Sequence, residues 1–145
     1  MRRTLREQTA IAPSRIDRDS GLIEGVRILG PTSRNGRTYS PKAMEQAARL
    51  YEGAPVNIDH PRGEGKDRPV SDAFGWIRNV RQMPDGVYGD LHYLKSHPQA
   101  NVVAEAAERN PNRLGLSHHA EGAVRMDGAS VVVESVDKVY SVDLV

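Results

Sequence analysis

The order of strand-type and helix-type segments most constrains how this chain of 145 residues can fold. Alternating apolar and polar residues, bounded by Gly, Pro, Asn and Asp, predict about seven short strands. Helical periodicity interrupts them at only two places, so helices and strands do not alternate regularly. The predicted strands cover residues 22–29, 56–58, 76–80, 87–93, 114–123, 130–134 and 139–145.

Both helices have start and stop signals. Ser40-Pro41 predicts an N-cap followed by the first helical residue, and Gly53 predicts the end of that helix. The second helix begins after Pro98 and ends before Asn110-Pro111. The apolar face predicted for the first helix consists of Met44, Ala47, Ala48 and Tyr51.

These segments predict an α+β fold, a mainly antiparallel β-barrel of about seven strands with two helices packed outside. A doubly wound sheet requires regularly alternating helices, and a phosphate-binding loop requires a Gly-rich segment before a helix. The sequence has neither pattern. We expect a single domain over residues 1–145, because 38% hydrophobic content in a chain of this length is enough for one core.

Positive charge is concentrated near the N-terminus. Residues 1–37 contain eight Arg and four acidic residues, a net charge of +4, whereas residues 38–145 carry −3. Acidic residues among the arginines, without interleaved aromatic residues, favour a solvated basic arm over about residues 1–20 rather than a nucleic-acid-binding segment. No signal-peptide or membrane-spanning pattern is present. We therefore expect a soluble intracellular protein without nucleic-acid or membrane partners.

Two polar segments, 57–61 and 115–120, contain the candidate chemistry. Ser117 supplies a hydroxyl and His60 supplies a base, the pair that a serine nucleophile requires, and the lack of cysteine excludes a thiolate. Strand alternation puts Ser117 on the face opposite Leu116, with Gly115 leaving room beside the hydroxyl. A loop predicted over 61–71 directly follows His60. A polar strand residue and a turn histidine also have purely structural interpretations.

A catalytic His60 needs a partner on its second ring nitrogen, which fixes the tautomer and stabilises the imidazolium. The candidates are Asp143, Glu134, Asp59 and His119. We rank Asp143 first, because its apolar neighbours in the last predicted strand would partly bury it, and Glu134 second.

A set of segments from about residue 20 to the end is similar to the prohead proteases of tailed bacteriophages, which belong with the herpesvirus assemblins. The segments are Gly25-Val26, Ser33-x-Asn35-Gly36-Arg37-x-Tyr39, Tyr51-Glu52-Gly53, Val56-Asn57-Ile58-Asp59-His60-Pro61, Gly75-Trp76-Ile77, Gly115-Leu116-Ser117 and Ser141-Val142-Asp143-Leu144-Val145.

The resemblance implies a small β-barrel wrapped by helices and a serine endopeptidase that needs no cofactor. His60 matches the catalytic histidine of an I-D-H-P-like motif, Ser117 matches the nucleophile of a G-x-S motif, and Asp143 matches the acidic third member of the phage enzymes. Implied substrates are scaffold and capsid proteins and the protease itself, inside the assembling prohead in the host cytoplasm.

The resemblance also bears on assembly and on the end of the chain. Herpesvirus relatives dimerise, so a homo-oligomer is one expectation. In many relatives the Asp-Leu-Val segment continues into a further turn, and we expect this sequence to have been cut or processed after Val145.

Two other functions remain open. In a metal-dependent hydrolase, His60, His118 and His119 would bind zinc with Asp59 and Asp90 nearby. Adjacent strand residues point to opposite faces, however, and no H-E-x-x-H helix is present. The second alternative is an inactive capsid-assembly or scaffold module of the same fold.

Overall fold

A computed structural model describes residues 1–33, 35–62 and 67–145 of the chain. Residues 63–66 of the predicted loop lie outside the described residues. No helix in the described ranges has both the length and the apolar character needed to cross a membrane. The strands and helices of these ranges are β1 (Arg2–Ala10), β2 (Arg15–Asp17), β3 (Leu22–Leu29), β4 (Arg37–Tyr39), α1 (Pro41–Tyr51), β5 (Pro55–Ile58), β6 (Ala73–Met83), β7 (Gly86–Tyr93), α2 (Ala100–Arg109), β8 (Gly115–Asp127) and β9 (Ser130–Leu144).

The strands form one mixed sheet. Its order is β1-β8-β9-β5-β6-β7-β3-β2, and β4 pairs with β9 beside this path. Most neighbours are antiparallel, but β4 and β5 both run parallel to β9. The α+β class is therefore correct, but two parallel ladders make the sheet mixed, so the predicted antiparallel barrel is not confirmed. Periodicity shows which face of a strand is buried, but it does not identify the neighbouring strand.

The predicted closed barrel is also not confirmed. In the described residues, β1 and β3 are not paired by a ladder, so the sheet stays open between them. A single residue after β1 bridges this gap: the Ile11 N–H donates to the Leu114 carbonyl at 3.0 Å, and the Ile11 carbonyl accepts from the Arg27 N–H at 3.0 Å. β1 and β3 therefore contact each other without a ladder, and the sheet has an open seam between them.

The N-terminal segment is part of the core, which corrects the prediction of a solvated arm. β1 pairs with β8 along its full length, from Arg2 opposite Ala123 to Ala10 opposite Gly115. Leu5 is fully buried and Glu7 is 2% exposed. Three exposed arginines make this strand look like a solvated segment in sequence, because only Leu5 and Glu7 are buried.

The first helix forms where it is predicted, but its buried face differs in part, because Ala43 is buried whereas Met44 and Ala48 are only partly buried. The Ser40 hydroxyl accepts from the Ala43 N–H at 3.1 Å, and Pro41 is the first helical residue. The buried face consists of Ala43, Ala47 and Tyr51, and packs on β9 and β6. The second helix and the hairpin between β6 and β7 also form where they were predicted.

Two neighbouring strands, β8 and β9, are the longest of the described part of the sheet, with 13 and 15 residues. They pair over their whole lengths, with three shifts in register between residues 119 and 124 of β8. These shifts break the alternation of period two, so β9 was predicted as two separate strands. One side of β9 pairs with β8, and the other side pairs first with β4 and then with β5.

Candidate functional site

β5 and the turn after it position His60. Asn57 and Ile58 pair with Asp143 and Leu144 of β9, and the Asp59 N–H donates to the Leu144 carbonyl at 2.8 Å. Asp59 then adopts a left-handed backbone conformation with φ of 62°. Among residues with side chains, Asp and Asn tolerate this conformation best. The turn directs the chain away from the ladder, so that the His60 ring lies over β9 and β8.

Pairing of β8 with β9 places Ser117 directly opposite Asp143. Residues paired across neighbouring strands share one face of the sheet, so both side chains lie on the face opposite Leu116. Asp143 is fully buried and Ser117 is 2% exposed. The alternation predicted for Ser117 is therefore correct, but its hydroxyl is more deeply covered than a position on an accessible face would be.

The three side chains form a continuous chain of hydrogen bonds. His60 Nδ1 lies 2.7 Å from Asp143 Oδ2, and His60 Nε2 lies 2.9 Å from Ser117 Oγ. A carboxylate only accepts, so Nδ1 carries the proton and donates to Asp143. In the neutral ring, Nε2 is then an acceptor, and the Ser117 hydroxyl donates to it. This is the protonation pattern in which an imidazole can remove a serine proton.

The glycine next to the hydroxyl does not leave the space that was expected. A Cβ at Gly115 would meet the Gln8 side chain at 3.0 Å and the Thr9 carbonyl at 3.1 Å. Gln8 also pairs with Ser117 across the ladder. Gly115 therefore allows β1 to approach β8 closely, which sequence reasoning did not foresee because it did not predict β1.

The other predicted partners of His60 lie elsewhere. The Glu134 carboxylate pairs with Arg125 at 3.0 Å, and 49% of its side chain is exposed. Asp59 precedes His60 in the chain, and its contribution to the site is the left-handed backbone turn described above. His119 shares the face of Ser117 and packs against the Tyr140 ring, 5.1 Å between centroids, and burial lowers its pKa.

The three histidines of the zinc alternative do not converge. His118 is fully buried on the core face, opposite to the face that holds Ser117 and His119. Across residues 1–33, 35–62 and 67–145, no group of three or more His, Asp or Glu side chains is arranged to hold a metal ion. Strand alternation thus separates His118 from His119 and Ser117, which lie on the opposite face of β8.

Arg68 contacts this site, although the sequence indicated only that it belonged to a loop. Its Nη1 lies 3.4 Å from Asp143 Oδ1, on the oxygen that His60 does not use. Its Nη2 donates to the carbonyls of Ile58 at 2.9 Å and Asp59 at 2.6 Å. One guanidinium thus links β9 to the residues before His60. The buried carboxylate was the available signal, since it requires a cationic or hydrogen-bonding partner.

A second polar cluster lies behind Ser117, on the core side of β8. His118 Nδ1 lies 2.6 Å from the Tyr51 hydroxyl, and His118 Nε2 lies 3.0 Å from the Tyr39 hydroxyl. Burial lowers the pKa of His118 to about 3 and raises the pKa of both tyrosines. The neutral ring donates to one tyrosine and accepts from the other. This cluster ties the residue after Ser117 to the ends of β4 and α1.

Lowering the pH from about 6.5 to about 3 is expected to destabilise the fold through His118. The unfolded chain protonates this ring near its ordinary pKa of 6.5, whereas the folded chain does so only at about 3. Between these values the unfolded state binds the extra proton, so stability falls by up to about 1.4 kcal/mol per pH unit. Urea unfolding at several pH values measures this slope.

The comparison that isolates His118 uses two variants. His118→Gln should lose this part of the slope, whereas His97→Gln should retain it, because His97 lies at the surface beside Ser71. Equal slopes in the two variants would contradict the assignment.

The fold of this chain is similar to that of a protein of known structure. No protein-family profile matches the chain, and no curated protein sequence matches it. The solved structure of the bacteriophage T4 capsid assembly protease, gp21, is similar with a TM-score of 0.70. The two chains are 18% identical, and the match covers 99% of this chain and 96% of that one. This chain therefore has the fold of that protein over nearly its whole length.

Proposed function

We propose that this protein is a serine endopeptidase of phage capsid maturation. The observation that carries the proposal is the continuous chain from Asp143 through His60 to Ser117, with separations of 2.7 and 2.9 Å. It occurs on a fold shared with a capsid assembly protease. The prohead-protease resemblance of the motifs around His60 and Ser117 supports the same function independently of the fold.

In the proposed reaction, Ser117 Oγ attacks the carbonyl carbon of a peptide bond while His60 Nε2 takes the hydroxyl proton. The imidazolium then gives this proton to the leaving amine, and an acyl-enzyme remains on Ser117. A water molecule, deprotonated by His60, hydrolyses the ester and restores the hydroxyl. Asp143 holds the ring in the required tautomer and stabilises its charged form.

The substrates we propose are the scaffold and capsid proteins of the assembling particle, together with the protease itself. The T4 protein is named a capsid assembly protease, which supports this substrate class. The site of action would be the interior of the prohead in the host cytoplasm. A particle interior concentrates protease and substrates, so weak recognition of many similar sites is sufficient there.

Labelling with a fluorophosphonate is the direct test. We expect one covalent adduct in the intact mass, located on Ser117 by peptide mapping, because only a serine activated by a base reacts readily. Ser141 is the matched control: it is a buried serine on the same face, in the strand next to Ser117. Ser141→Ala should be labelled normally and Ser117→Ala should not.

Two outcomes would contradict the proposal. If no serine is labelled and no peptide is cleaved, the inactive assembly module is the better interpretation. If peptides are cleaved without labelling, and a chelator stops the cleavage, the metal-dependent alternative is favoured.

A further inference from the structure

The guanidinium of Arg68 contacts three parts of the site from one position. It reaches Asp143 of β9, the backbone at the end of β5, and the Asp72 carboxylate, which its Nε contacts at 3.1 Å. Only 11% of the Arg68 side chain is exposed. We propose that Arg68 is a positioning residue, which fixes the orientation of Asp143 and His60 relative to each other. This inference rests on the proposed peptidase function.

The first contribution of Arg68 is to the carboxylate. Asp143 is fully buried, and its two oxygens face two different partners, His60 on one side and Arg68 on the other. A buried carboxylate needs such partners to remain charged. Because both oxygens are held, the carboxyl group cannot rotate about its terminal bond without losing one contact. Arg68 therefore keeps Oδ2 directed at the imidazole.

The second contribution is to the backbone before His60. The left-handed conformation of Asp59 is costly for a residue with a side chain, and surrounding contacts must maintain it. Arg68 Nη2 bonds to the carbonyls of both Ile58 and Asp59 across this turn. Loss of these bonds would allow the turn to relax and the His60 ring to move. A displacement of about 1 Å in a catalytic group can lower a rate about a hundredfold.

The third contribution is charge balance during the reaction. Asp143 and Asp72 carry two negative charges around one guanidinium, so this group has a net charge of −1. When His60 takes the Ser117 proton, the added positive charge brings the cluster to neutrality. Lysine could supply the charge but not the geometry, because one ammonium nitrogen cannot span the two carboxylates and two carbonyls that the three nitrogens of Arg68 contact.

The test compares Arg68→Ala with a matched variant elsewhere in the sheet. Arg81 makes contacts of the same kind, although 37% of its side chain is exposed: its Nη1 bonds to the carbonyl of Asn79 at 2.8 Å and to Asp90 at 3.2 Å. Asn79 is also left-handed, with φ of 55°, and Asp90 is 7% exposed. Arg81→Ala therefore removes an arginine that bonds to a carboxylate and to a left-handed turn, at a place away from the site.

We expect Arg68→Ala to lower kcat for peptide cleavage about a hundredfold with KM changed only a few-fold. Arg81→Ala should retain the wild-type kcat, although both variants should lose stability. Millimolar guanidinium should restore part of the activity of Arg68→Ala by filling the vacated position. Arg68→Lys, which keeps the charge and is the milder change for folding, should recover little activity.

A proton NMR measurement separates this inference from the proposed function. The proton between His60 Nδ1 and Asp143 should give a downfield resonance in the wild-type protein and in Arg81→Ala, and should broaden or shift in Arg68→Ala. If the resonance is unchanged in Arg68→Ala, or if both alanine variants lose activity equally, Arg68 does not position the pair. If the wild-type protein is not labelled by a fluorophosphonate but the resonance still depends on Arg68, the peptidase proposal fails and the positioning role stands.

Discussion

Replacing Ser117 with alanine is expected to lower peptide cleavage on the order of 10⁶-fold, to the level that binding alone provides. Alanine has no oxygen to attack the carbonyl, so no acyl-enzyme can form. The change removes one buried atom and leaves the strand pairing of β8 intact, so the variant should fold. Cleavage of a proteome-derived peptide library, followed by mass spectrometry, measures the loss and also reveals the sequences that are cut.

Ser141→Ala is the control for this prediction, because it removes a hydroxyl of equal burial from the neighbouring strand. It should retain activity within a few-fold of the wild-type protein. His60→Ala should lose about as much activity as Ser117→Ala, and the double variant should lose little more, because the two residues act as one unit. Full activity in Ser117→Ala would end the serine assignment.

Local signals in the sequence place the candidate residues on their elements, and the resemblance of their motifs to the prohead proteases selects them as a site. His60 follows a short strand and a residue that tolerates a left-handed turn, and Ser117 lies in an alternating strand. Whether these residues meet depends on the parallel pairing of β5 with β9, which no local pattern encodes. The apolar neighbours of Asp143 favour it over Glu134 in the sequence, but its contact with His60 depends on the register of β9, whose bulges disturb the alternation.

The strands and the contact residue that could not be predicted from the sequence depend on interactions with distant segments. β1, β2 and β4 were missed, because two of them have only three residues and the third is rich in arginine. Each is a strand only through its pairing with a distant segment. Arg68 was missed for the same reason, since its partners Asp143 and Ile58 are 75 and 10 residues away in the sequence.

Replacing Asp143 with asparagine is expected to lower kcat about 10⁴-fold, whereas Glu134→Gln should change it less than about twofold. Asparagine keeps the size of the side chain but presents one oxygen and one NH₂ group. Arg68 has only donors, so it should hold the amide oxygen. The NH₂ group then faces His60 Nδ1 and donates to it, which forces the ring proton onto Nε2. In that tautomer, Nε2 can no longer accept the Ser117 proton.

The role of Arg68 in this loss can be measured with a double-mutant cycle. In the Arg68→Ala background, the amide introduced by Asp143→Asn is free to turn its oxygen toward His60 Nδ1, which restores the productive tautomer. The fold-loss of kcat caused by Asp143→Asn should therefore be smaller by a factor of about ten or more in Arg68→Ala than in the wild-type protein. Activities over a range of pH for the four proteins would establish this. Equal and small effects of Asp143→Asn and Glu134→Gln would refute both assignments, and strictly additive losses would show that Arg68 does not orient the carboxyl group.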